Sequence, residues 1–148
     1  MILLDANVLI YAHNLDAPEP PAAAAWLTRV LAGNEDDGND GVGIPWVTIW
    51  AFVRICTNTR LWKNPRSLND IFGIVSGLIS NPRVVLLDPG PRHREILQEL
   101  VVRYDSAGPK GSDAVAAALA LEYDATIATL DDDFRRFLGL RTLNPLAG

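Results

Sequence analysis

The sequence predicts an α/β fold in which a parallel sheet of buried strands is covered by helices on both faces. Three observations carry that expectation. Short apolar runs recur along the chain, longer segments with helical apolar spacing lie between them, and one late helix is apolar nearly all round.

The elements follow in order. Met1–Leu4 is a short apolar run that ends at Asp5 and reads as the first strand. Pro21–Ala32 places Trp26, Leu27, Val30 and Leu31 on one stripe, as an amphipathic helix does. Val42–Ile44 is a second strand, and Val47–Thr57 a second helix. Leu68–Ile79 repeats Ile71, Val75, Leu78 and Ile79 at helical spacing, and Val84–Leu87 is a third buried strand. Pro91–Tyr104 and Asp113–Tyr123 read as helices, the latter apolar enough to lie against a sheet. Ala125–Ala128 is the fourth strand. Gly33–Gly41, the one low-complexity stretch, carries aspartates but lacks the closing glutamate of a calcium loop and reads as a solvated connection.

At 148 residues, 49% hydrophobic and 21% charged, the chain has the size of one domain, 1–148. Its longest apolar run, Ala114–Leu121, is far short of the roughly 20 residues that span a bilayer, and Met1–Ile10 is broken by Asp5 and Asn7 without a basic leader. A cytoplasmic protein with no membrane segment is expected. The single cysteine, Cys56, reads as a small core residue. With only His13 and His93 beside it, a Cys/His zinc site is excluded, so any metal must be held by oxygen.

The net charge of −5 argues against a general basic surface for nucleic acid. The acidity is concentrated, however. Residues just beyond strand ends are where open parallel sheets bind ligands, and here they are acidic: Asp5 follows the first strand, Asp131 and Asp133 follow the fourth, and Asp113 opens the apolar helix. Setting those four aside leaves 14 of the 18 acids against 13 bases. Each is also a natural helix N-cap. Capping does not explain why Asp5 interrupts the most apolar part of the N-terminus, where an unpaired buried carboxylate costs several kcal/mol. A hard divalent cation with oxygen ligands relieves both that burial and the repulsion among converging carboxylates, and suits phosphodiester hydrolysis.

Four pieces then make a specific resemblance: Leu-Leu-Asp-Ala-Asn-Val-Leu-Ile-Tyr-Ala at the start, Phe-Val-Arg-Ile-Cys-Thr-Asn near residue 55, Ser-Asp-Ala with Ala-Ala-Leu-Ala after 112, and Thr-Leu-Asp-Asp-Asp-Phe-Arg-Arg-Phe near the end. In that order and spacing, over about Met1 to Pro145, the chain resembles the PIN-domain toxins of the VapBC class. The resemblance implies a three-layer α/β/α PIN-like fold with four or five parallel strands. It implies the toxin of a type II toxin-antitoxin module, an endoribonuclease that uses Mg²⁺ or Mn²⁺ to cut structured RNA such as tRNA or rRNA. Asp5, Asp113 and Asp131 would be metal ligands with Asp133 in support, and Asn7 and Thr129 would be small polar groups beside them. A homodimer and a cognate VapB-like antitoxin are the implied partners.

One departure matters. The family usually has a glutamate directly before the Phe-x-Arg of its second helix, and this chain has Ala51, with no acid between Asp40 and Asp70. The alternative is therefore a catalytically weakened module that binds RNA or antitoxin without efficient cleavage. A phosphate-transfer domain with Asp5 as nucleophile fits less well, because its usual second aspartate is Asn7 here.

Among the other residues, Arg54, Arg60, Lys63 and Arg66 with Trp62 form an acid-free stretch that either contacts RNA or is a solvated loop with Trp62 partly packed. Arg54, one turn from Ala51, either faces the pocket and pairs with a carboxylate there or makes an ordinary ion pair. Trp46 and Trp50 share a helix face and are assigned to core or dimer packing. His93, with Glu95, Glu99 and Arg103, reads as a charged solvent face, and His13 is weighed as a residue approaching substrate.

Overall fold

The computed structural model describes residues 1–18, 20–34 and 40–147. Five strands, β1 (Ile2–Leu4), β2 (Val42–Pro45), β3 (Val84–Leu87), β4 (Thr126–Ala128) and β5 (Arg141–Leu143), form one sheet in the order β3-β2-β1-β4-β5. Every neighbouring pair is parallel. The helices are α1 (Ala6–Ala12), α2 (Ala22–Ala32), α3 (Trp46–Cys56), α4 (Leu68–Ser80), α5 (His93–Arg103) and α6 (Gly111–Glu122). Short 3-10 turns at Gly108–Lys110 and Asp132–Arg136 complete the described elements.

The central strand shows why the sheet must be covered twice. Successive side chains of a strand point to opposite faces, and Ile2, Leu3 and Leu4 are all fully buried. Ile2 and Leu4 join Val42 and Ile44 in a core with α1–α4, while Leu3 joins Ile127, Leu87, Phe134 and Phe137 in a second core beneath α5 and α6. The apolar run at residues 2–4 therefore carries no polar alternation because neither face meets water. Gly43 meets a steric demand of the same packing: a Cβ there would stand 2.6 Å from Leu87 Cδ1 and 2.9 Å from Met1 Sδ.

The boundaries of the expected strands and helices agree with the structure to within two residues, α1 has no counterpart among them, and several finer expectations are corrected. β3 is an edge strand, so Val85 is 47% exposed where a fully buried strand was expected. Ile79 lies outside the buried stripe of α4, which is Ile71, Val75 and Leu78. β5 was not singled out from sequence, because Arg-Thr-Leu at a sheet edge is polar and short. Arg141 fixes it by bonding the Asp124 carboxylate at 3.0 Å and the Asp124 carbonyl at 2.6 Å. The calcium-loop and solvated-connection readings of Gly33–Gly41 fall mostly on residues 35–39, outside the described residues. Among the described residues no helix is long and apolar enough to cross a membrane.

Candidate active site

The parallel arrangement aims the carboxyl ends of β1 and β4 at one rim, and the chain places its aspartates there. Asp5 follows β1 directly and caps α1, its Oδ1 accepting from Ala6 N–H at 2.7 Å. Asp131 lies three positions after β4 and caps the 3-10 turn, accepting from Asp133 N–H at 2.9 Å. Asp113 arrives from the other side. Because α6 begins at Gly111, this residue sits in the first turn and leaves the capping position to Lys110. Two of the four aspartates thus cap as well as face the site, whereas Asp113 is free of that duty.

Asp5, Asp113 and Asp131 line one cleft of about 260 Å³ together with Asn7, Thr48, Ala51, Arg54 and Ser112. Thr129 is buried behind it and joins three partners through one hydroxyl. It donates to Asp5 Oδ2 at 2.7 Å and accepts from Asn7 Nδ2 and Asp131 N–H, each at 3.1 Å. The Asn7 side-chain oxygen in turn accepts from Leu130 N–H at 3.2 Å. Sequence reasoning placed Asn7 and Thr129 beside the acids, and the bonds give the reason: they orient Asp5 and the start of the Asp131 turn.

Electrostatics mark the cluster. Burial pushes the Asp5 carboxyl above its ordinary value, and the bonds from Thr129 and Ala6 oppose the shift. Asp113 and Asp131 add to it by repulsion. Asp113 is also raised, first by burial and then by Asp131 and Asp133, with Arg136 pulling the other way. Carboxylates that mutually disfavour ionisation in a cleft are the environment that a hard cation relieves, and all the donors are oxygens. The donor set fits such a group in kind. Among the described residues no three His, Cys, Asp or Glu side chains already converge into a ready-made cage.

The remaining expectations divide. Asp133 is exposed and does not line the cleft, although its charge is felt by Asp113. Ala51 does line it, so the departure falls at the site itself. Arg54 faces the cleft but makes no ion pair among the described residues, which corrects the expected carboxylate partner. Arg66 is committed elsewhere, donating to His13 O at 3.1 Å, and Trp62 donates its ring N–H to Ile55 O at 2.9 Å, so this stretch packs as a loop behind α3. Asp16, not noticed in the sequence, secures that loop by accepting from Lys63 and Asn64 N–H at 3.0 Å each.

His13 packs on Phe52 with ring centroids 5.4 Å apart, away from the cleft, and burial lowers its pKa. Cys56 is buried, its thiol pushed up to about 11. Trp46 and Trp50 are 49% and 64% exposed, which excludes the core. His93 is the plainest correction: its side chain is 12% exposed and lies 3.7 Å from Glu122, because the turn before α5 folds onto the end of α6. Arg136 was missed altogether. It approaches Asp113 at 3.7 Å, and Phe-Arg-Arg-Phe shows an anchored turn without showing which arginine turns inward.

A family model described as PIN domain matches residues 2–139. The chain belongs to the PIN domain family. This PIN domain is 34% identical over 145 residues to Ribonuclease VapC31 of Mycobacterium tuberculosis, covering 98% of the chain and 99% of the relative. Ribonuclease VapC37 of the same organism is 35% identical over 147 residues, covering 99% of each. The five-stranded parallel sheet is that of VapC structures. The crystal structure of VapBC2 from Rickettsia felis, bound to a DNA fragment from its promoter, matches with a TM-score of 0.67 at 18% identity, covering 97% of this PIN domain and 98% of that chain. M. tuberculosis VapC20, described as a Sarcin-Ricin loop cleaving toxin, matches with a TM-score of 0.65 at 17% identity, covering 95% and 99%. The resemblance read from the motifs is thereby established at the level of family and fold.

Proposed function

We propose that this chain, a single PIN domain over residues 1–148, is a Mg²⁺- or Mn²⁺-dependent endoribonuclease and the toxin of a type II toxin-antitoxin pair. The observation that carries the reading is that Asp5, Asp113 and Asp131 line one cleft at the strand ends, with the Asp5 carboxyl raised first by burial and then by the other two. Relatives named ribonucleases over the full length support the reaction, and structured RNA, tRNA or rRNA, is the proposed substrate.

In this reading Asp5, Asp113 and Asp131 hold the cation, and Asp133 adds negative charge from the rim. The bound cation supplies Lewis-acid polarisation of the phosphodiester and a lowered pKa for the attacking water. The Ala6 N–H and the Thr129 hydroxyl each hold one oxygen of the Asp5 carboxylate, and Asn7 in turn donates to Thr129. Arg54, a cation on the wall of an acidic cleft, contacts the RNA phosphate. The exposed Trp46 and Trp50 suit a homodimer contact, and the acid cleft suits a basic side chain of a VapB-like antitoxin. The setting is cytoplasmic.

The second reading, a module that binds RNA or antitoxin and cleaves poorly, is favoured by one observation: Ala51 lines the cleft where the family's usual glutamate would reach in. Cleavage of a structured RNA by the native protein and by Ala51→Glu separates the two. Metal-dependent cutting by the native chain supports the nuclease. Cutting only by Ala51→Glu supports the weakened module.

A further inference from the structure

Two arginines follow Phe134, and the fold treats them differently. Arg135 is an exposed side chain paired with Asp132 at 3.2 Å, an ordinary surface ion pair. Arg136 turns inward. Its guanidinium carbon lies 4.5 Å from the centroid of the Phe137 ring, and its Nη1 donates to the Asp133 carbonyl at 3.5 Å. Its Nη2 stands 3.7 Å from Asp113 Oδ2. Phe134 and Phe137 are 2% and 1% exposed, so the turn that carries this guanidinium is anchored at both ends in the core.

Arg136 has unspent capacity. Nε and Nη2 are buried and have no hydrogen-bond partner among the described residues. A buried charged donor left unpaired is costly, and such groups ordinarily have a function or a missing partner. The nearest acceptor of opposite charge is the Asp113 carboxylate, close enough for ion pairing and about 0.8 Å too far for a good charge-assisted hydrogen bond. Asp113, the one cleft aspartate with no capping bond, is also the one that nothing else recorded among the described residues orients.

We infer that Arg136 is a positioning residue for the metal site: its fixed guanidinium holds the Asp113 carboxylate toward Asp5 and Asp131, doing for Asp113 what Thr129 does for Asp5. The inference rests on the metal-site reading above. The two are separable because the test reads metal binding directly, without RNA.

The experiment is calorimetric titration of Mn²⁺ into the full-length, metal-stripped protein, comparing native, Arg136→Met, Arg136→Lys and Arg135→Ala. Methionine keeps an apolar stem over Phe137 and removes the charge and the donors. Unfolding midpoints in EDTA verify that each variant is folded. Loss of an outer partner of a ligand weakens metal binding by roughly tenfold or more. That loss is expected in Arg136→Met, with part of it restored in Arg136→Lys, which keeps the charge without the planar fork, and none of it in Arg135→Ala. A merely structural arginine would leave Mn²⁺ affinity unchanged in folded Arg136→Met. That result, or tighter binding from removal of a competing cation, overturns the inference while leaving the metal site standing. Absence of saturable Mn²⁺ binding by the native protein overturns the site itself.

Discussion

Thr129 and Asp5 stand 124 positions apart in the chain, and the hydroxyl of the one donates to Oδ2 of the other at 2.7 Å. The bond spans β1 and β4, which are hydrogen-bonded neighbours in the sheet, and so ties the first and last thirds of the sequence at the rim that carries the acids. Thr129 is 3% exposed, and its one oxygen serves three partners.

Replacing Thr129 by Val keeps the shape and removes the bonds. Asp5, Asn7 and the Asp131 N–H each lose a partner in a water-poor place, so a loss of about 1–3 kcal/mol in unfolding free energy is expected. Urea titration in EDTA measures it.

The raised carboxyls of Asp5 and Asp113 fix a pH dependence. A carboxyl raised above its unfolded value of 3.8 binds its proton more tightly in the fold. Its stabilising contribution is therefore full below that value and is lost as pH rises through the folded pKa. The metal-free protein is expected to lose stability as pH climbs above the ordinary aspartate range, with a shallower loss in Asp5→Asn. Unfolding midpoints across pH, in EDTA, check the sign.

Ala51→Glu adds a carboxylate to the cleft wall. Without metal it adds repulsion and should lower the unfolding midpoint. With Mn²⁺ it should raise affinity by about tenfold, the effect of one further ionic interaction worth roughly 1.4 kcal/mol. Titration calorimetry reads both the affinity and the number of ions bound.

Gly90→Ala tests a contact outside the cleft. A Cβ there collides with Glu122 Oε1, and Glu122 accepts from Gly90 and Arg92 N–H at 3.1 Å each. Displacing this carboxylate, which also faces His93, should cost about 1–3 kcal/mol. The expected readout is a lower urea midpoint with Mn²⁺ affinity unchanged.

How much of this was legible in the sequence depends on whether a feature is local. Ile2–Leu4 and the Trp26, Leu27 and Val30 stripe of α2 read correctly because one period decides each. Asp5 stood out because a charge inside an apolar run has few explanations, and the fold places it both at the cap of α1 and on the cleft wall. β5 did not, since only its parallel neighbour β4 makes Arg141–Leu143 a strand. His93 read as solvent-facing because its helix neighbours Glu95 and Glu99 are charged and exposed, while its burial comes from Glu122, 29 positions away on α6.

The site followed the same rule. Asp5, Asp113 and Asp131 were visible as acids next to predicted strands and a helix start, Asn7 only through the motif resemblance, and the fold brings all four to one cleft. Asp133 looked equivalent to Asp131 in Leu-Asp-Asp-Asp-Phe, but the 3-10 turn rotates it to the surface. Arg136 was invisible because nothing in Arg-Arg says which side chain will rest on Phe137.

The most direct test of the central claim is cleavage of a structured RNA by the purified protein in Mn²⁺, with and without EDTA, for native and Asp5→Asn chains. The expected result is cutting by the native protein that EDTA stops and that falls at least about a hundredfold in Asp5→Asn, more than the loss of an outer partner costs. Cutting by Asp5→Asn at the native rate would contradict the account, because the aspartate cleft would then not be where the chemistry happens.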